Sequence, residues 1–143
     1  MNRLKQTRTV WVPLTALLLT IVGCGEGVKP GGNFPQVIHS PDEQFVLVID
    51  LNQSKSDLTK YLCLKFTIQD ADENVLFQEQ TGASTTMRWK MAWDEDSRVW
   101  LYSSDIGTYY WEQQAEGIWD RFTYVELDSP PHPPAAIAAE LEK

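Results

Sequence analysis

Two kinds of apolar pattern divide the chain. Val10 to Val22 is a single, nearly continuous apolar run of 13 residues. From Val37 onward the pattern has period two. Phe45, Leu47, Ile49 and Leu51 fall on one face of an extended segment, with Val46, Val48 and Asp50 on the other. Leu62, Leu64, Phe66 and Ile68 repeat this, as do Met87, Trp89, Met91 and Trp93. Polar clusters such as Asp70-Ala71-Asp72-Glu73-Asn74 and Asp94-Glu95-Asp96-Ser97 separate the segments, and further strands are expected at 75–78, 99–103, 108–112 and 118–127. Short alternating segments between turn clusters predict a mostly β fold, a small antiparallel sheet or sandwich spanning 37–128. No helical stripe shows in that range, although 57–62 has room for one helical turn. Ser129-Pro130-Pro131-His132-Pro133-Pro134 cannot donate to a ladder and ends the pattern. In the 129–143 tail, Ala135 to Lys143 reads as a frayed helix, too short to be stable alone.

The first apolar run is too short to span a bilayer, which takes about 20 residues. Arg3, Lys5 and Arg8 precede it, and small residues follow it. A basic start, an apolar middle and a small-residue stop are the layout of a secretory signal. The run closes on Ile21-Val22-Gly23-Cys24, which resembles the lipobox of bacterial lipoproteins. That resemblance covers Met1 to about Gly25. It implies a signal peptide at 1–23, cleavage between Gly23 and Cys24, and acyl chains on Cys24. Two or three such chains would hold the protein on a membrane. Gly25 rather than Asp after the cysteine implies the outer membrane, facing the periplasm, in a host with two membranes. Residues 24–36 are rich in Gly and Pro and read as the lipidated cysteine plus a flexible tether.

Charge narrows the partners. The chain has 12 Lys+Arg and 20 Asp+Glu; losing Arg3, Lys5 and Arg8 with the signal would leave nine basic residues, a formal −11. A body of that charge is repelled by phosphate backbones and is not expected to bind nucleic acid. With Cys24 acylated, Cys63 has no intramolecular partner. Its apolar strand setting predicts a buried, inert thiol.

Few residues suggest chemistry. Asp70-x-Asp72-x-Asn74 starts like a calcium loop, but Val75 and Thr81 stand where Gly and Glu would be needed, so it reads as a turn. His39 and His132 are the only histidines, with no metal-ligand spacing around them. No cofactor is expected beyond the acyl chains on Cys24. Ser103, Asp105, Gly107 and Tyr110 match the Ser-x-Asp-x-Gly-x-x-aromatic pattern and resemble an Asp-box. In that family the motif is a hairpin turn whose Asp caps turn amides. Ser40-Pro41-Asp42 resembles the turn before a strand in propeller blades. Both imply propeller-blade-like hairpins; a complete propeller needs at least four blades, more than this chain can supply.

The notable excess is aromatic: between Trp89 and Tyr124 lie five Trp, four Tyr and one Phe. By alternation they occupy both faces of their strands. A two-sided core is one expectation. The other is an exposed aromatic platform at Trp100, Tyr102, Tyr109 and Trp111 that binds an envelope protein or glycan. The expected function is therefore a membrane-anchored, non-enzymatic binding or accessory domain of the bacterial envelope. The alternatives are an envelope glycan hydrolase using carboxylates such as Asp94, Asp96 or Asp105, and an inhibitor-like domain.

Overall fold

The computed structural model describes residues 33–143; the expected signal peptide at 1–23, with Gly23, and the expected acylation site Cys24 lie outside them. Eight strands follow one another: β1 (Gln36–His39), β2 (Phe45–Leu51), β3 (Cys63–Asp70), β4 (Val75–Ser84), β5 (Trp89–Trp93), β6 (Val99–Ser103), β7 (Gly107–Gln113) and β8 (Trp119–Thr123). They form two antiparallel four-stranded sheets in the orders β1-β2-β3-β4 and β5-β6-β7-β8. Each is a simple meander, so the mostly β expectation holds. One short helix, α1 (Ala135–Leu141), follows, and a 3-10 turn at Leu58–Lys60 occupies the expected helical turn.

The alternation explains how the sheets meet. Leu47, Ile49, Leu64, Phe66 and Ile68 from the first sheet pack against Trp89, Met91, Val99, Leu101 and Trp111 from the second. Phe66 meets Trp111 edge-on, with ring centroids 4.8 Å apart. These residues are almost wholly removed from water, and each contributes about 1.5–3 kcal/mol of transfer free energy. Where β4 shifts register against β3, Thr81 mends the ladder: its hydroxyl donates to the Leu64 carbonyl at 2.7 Å and accepts from the Ala83 amide at 3.2 Å.

Four tight turns share one construction. Glu43, Glu73, Ser97 and Glu116 all have φ near +60°, although none is glycine. The first three hairpins hold this conformation with side-chain caps, whereas the turn at Glu116 has none. Asp42 accepts from the Ser40 hydroxyl and the Gln44 amide, while Asp70 accepts from the Asp72 and Asn74 amides. Those local bonds are why Asp, Ser and Asn crowd these turns, and they depress the Asp42 and Asp70 pKa values.

The domain extends past both expected boundaries. Phe34, assigned to the tether, stacks on Trp89 at 6.1 Å, and β1 begins at Gln36 rather than after it. The tail does not end outside the fold either. Helix α1 lies on the outer face of the second sheet, where Ile137 is completely buried against Ala92, Trp100 and Tyr110. A seven-residue helix is unstable alone, so this packing is what holds it. Ile137→Ala is expected to lower stability by about 2–4 kcal/mol and to detach the helix, read by urea unfolding and by faster amide exchange at 135–141.

Candidate binding surfaces and the carboxylate clusters

The four aromatics expected to form one platform do not share a face. Val99 pairs with Trp111 and Trp100 with Tyr110 in the β6–β7 ladder. Trp111 therefore points into the core between the sheets, and Trp100 points out under α1. Both are inaccessible, at 1 % and 0 % exposure. Tyr109 lies half-buried against the inter-sheet core, its hydroxyl donating to the Ile106 carbonyl. Tyr102 lies half-buried on the opposite side, its hydroxyl accepting from Arg88 Nη2 at 3.2 Å. The platform reading is thus corrected. The excess of Trp and Tyr supplies two aromatic layers, one between the sheets and one under α1, where Tyr110 stacks between Trp100 and Phe122. Burial raises the pKa of the Tyr110 hydroxyl, with the Glu112 charge adding to it. The indole N–H groups of Trp89, Trp111 and Trp119 have no hydrogen-bond partner among the described residues. That is a cost the large apolar area of each ring outweighs.

The carboxylates are engaged in turns. Asp94 is 6 % exposed and accepts four bonds: from the Asp96 amide (3.0 Å), the Arg98 amide (2.9 Å), Arg98 Nη1 (3.1 Å) and Trp100 Nε1 (2.9 Å). Arg98 also pairs with Asp96 at 3.0 Å and, through Nε, with Glu112 at 2.8 Å. Burial alone would lower the Arg98 pKa, but the hydrogen bonds it donates to Glu112 and Asp94 outweigh it and raise the value. Asp105 accepts from the Ser103 hydroxyl and from the Ser84 amide, the latter at 2.9 Å. Its second oxygen thus ties the hairpin to β4 in the other sheet, where the Asp-box resemblance implied a cap on turn amides. Gly107 does take the positive φ that the motif requires, at 97°.

Asp94 enters the hairpin before β6 and Asp105 follows the strand, so they sit at opposite ends of five residues, about 17 Å apart. Glycosidase carboxylates stand roughly 5–9.5 Å apart. Asp94 and Asp96 are close, but Arg98 bridges them. Neither combination presents an acid and a base to a common cleft. Among the described residues no three His, Cys, Asp or Glu side chains gather in a group able to hold a metal ion. Cys63 is a buried free thiol whose pKa is raised by burial and by the Asp105 and Asp57 charges, which disfavours the nucleophilic thiolate.

Among the described residues, besides a depression of about 330 Å³ between Tyr124, His132 and Leu141 of the tail, two surfaces stand out. The outer face of the first sheet carries the row Val37, Val48, Thr67 and Gln78, and among the described residues no helix covers it. Beside it His39, Glu43, Val46 and Ala71 line an open depression of about 350 Å³. The second surface is the end of the sandwich at loop 52–62, where Leu58, Tyr61 and Leu62 are exposed. Nothing in the alternation marked these as sites; they follow from where α1 docks and where the loop turns. Compared with known protein families, curated proteins and solved structures, the chain matches none.

Proposed function

We propose that this chain is a lipoprotein of the bacterial envelope, anchored through acyl chains on Cys24, whose β-domain is a non-enzymatic binding or accessory module. The observation that carries the reading is Ile21-Val22-Gly23-Cys24 closing a short apolar run behind three basic residues. The clustered carboxylates are spent on turn caps, which supports binding over hydrolysis. The uncovered outer face of the first sheet is the surface offered to an envelope protein or glycan. Among the described residues no helix is long and apolar enough to cross a membrane.

Expression in a bacterium fed labelled palmitate tests the anchor. The full chain is expected to take up label and Cys24→Ser to take up none. Equal labelling of the two would refute the reading. In-cell crosslinking of the anchored protein then tests the binding role. One stoichiometric envelope protein, or retained cell-wall fragments, is the expected result. Turnover of a glycan substrate by the purified protein would replace it with hydrolysis.

A further inference from the structure

The sandwich has two unlike ends. Gln36 opens β1 opposite Ile49, two residues before β2 finishes at Leu51, so the chain enters the domain at the end that carries loop 52–62. The Cys63–Ser84 pairing and the bond from the Thr85 hydroxyl to the Leu62 carbonyl bring the link between β4 and β5 to the same end. There the period-two pattern breaks. Leu62 turns outward at φ 59° and Met87 is 45 % exposed, although alternation would place both in the core. With Leu58, 73 % exposed, and Tyr61 they give this end an apolar surface. Lys55 Nζ lies over the Tyr61 ring at 5.7 Å, and Lys60 and Arg88 are close by in sequence, against Asp57 and Asp105, with Glu140 of α1 near enough to act on Arg88. At the other end, hairpins 40–44, 70–74 and 94–98 carry eight acidic residues and one basic one, Arg98. Asp42 and Ser97 face each other there across the two sheets.

We propose that the end formed by Leu58, Tyr61, Leu62 and Met87 docks into the headgroup–acyl boundary of the bilayer that holds the anchor, with the acidic hairpins directed away from it. This rests on acylation of Cys24. Nine residue steps separate Cys24 from Asn33, a reach of at most about 32 Å, and they lead to this end of the domain. The anchor therefore delivers these side chains to the membrane at high effective concentration, which makes a small apolar contact sufficient. Apolar side chains beside Tyr and Lys, whose stems bury while their polar tips stay wet, suit that boundary. The opposite end, with its acidic hairpins, is repelled by anionic lipid. The result is one fixed orientation, in which the uncovered face of the first sheet stands roughly upright.

The test uses the full, lipidated chain with Cys63→Ala, reconstituted in phosphatidylethanolamine–phosphatidylglycerol vesicles. A nitroxide is placed at Leu58→Cys in one sample and at Ala71→Cys, in the far hairpin, in another. Mass spectrometry of the same samples reads acylation of Cys24. The Leu58 label is expected to collide with oxygen more, and with a water-soluble nickel chelate severalfold less, than the Ala71 label. Equal, water-like collision rates with Cys24 acylated would overturn the docking and leave the anchor standing. An unacylated Cys24 would overturn both. Met87→Cys gives the same reading should Leu58→Cys fail to fold.

Discussion

Trp111→Ala should cost about 3–5 kcal/mol of stability, and Trp100→Ala a similar amount, although the two rings never touch the same layer. Trp111 fills the space between the sheets, edge-on to Phe66. Trp100 is stacked on Tyr110 under α1. A domain of this size has about 5–15 kcal/mol in total, so either change removes a large fraction of it. Urea unfolding followed by circular dichroism gives the comparison, with Leu58→Ala as the exposed control, expected within about 0.5 kcal/mol of the parent chain. If both Trp variants kept the parent midpoint, the two-layered core would be wrong and the binding platform would return.

The second large effect is expected at Asp94. Its carboxylate is buried, and removing it strands the Trp100 indole N–H, the Arg98 amide and part of the Arg98 charge. Asp94→Ala should therefore cost about 3 kcal/mol. Asp96→Ala removes an ion pair to the same arginine, but Asp96 is 71 % exposed, and the expected cost is under about 1 kcal/mol. Equal losses at the two positions, measured by denaturant unfolding, would mean that the buried network adds nothing beyond surface charge pairing. The contrast separates roles as well. A residue that caps a turn and holds an indole shows its loss in stability, whereas a catalytic acid shows it in turnover.

Much of this architecture was legible in the alternation, because a strand's side chains have a strict period of two. Leu47 and Ile49, Leu64 and Phe66, and Trp89 and Met91 all point inward as the pattern demands. The turns were legible too, since Asp, Ser and Asn are placed where they can cap backbone amides. What alternation could not reveal was which of two apolar faces would stay dry. Trp100 and Tyr102 sit on a face that would be an exposed platform but for α1, and an alanine-rich tail behind four prolines gives little sign that it will fold back. Its single fully buried residue, Ile137, is the signal that was there to find. The Asp-box resemblance located the hairpin and its glycine, yet Asp105 reaches Ser84 in the other sheet, a contact set by tertiary packing. Leu62 and Met87 left the pattern for a local reason. Leu62 precedes β3 at a left-handed backbone position, and Met87 lies in the link between sheets, so neither obeys strand periodicity.

The meander order carries a kinetic consequence. Every strand pairs with its neighbour in the chain, so the segment to be closed before each ladder forms is short and the entropy lost in closing it is small. Chains with such local pairing fold faster than β-proteins whose strands must find distant partners. A polypeptide emerging amino end first can complete β1 to β4 before β8 has appeared. The Ile137 helix, which seals the second sheet, then arrives after all eight strands, a latch closed on a sheet already formed.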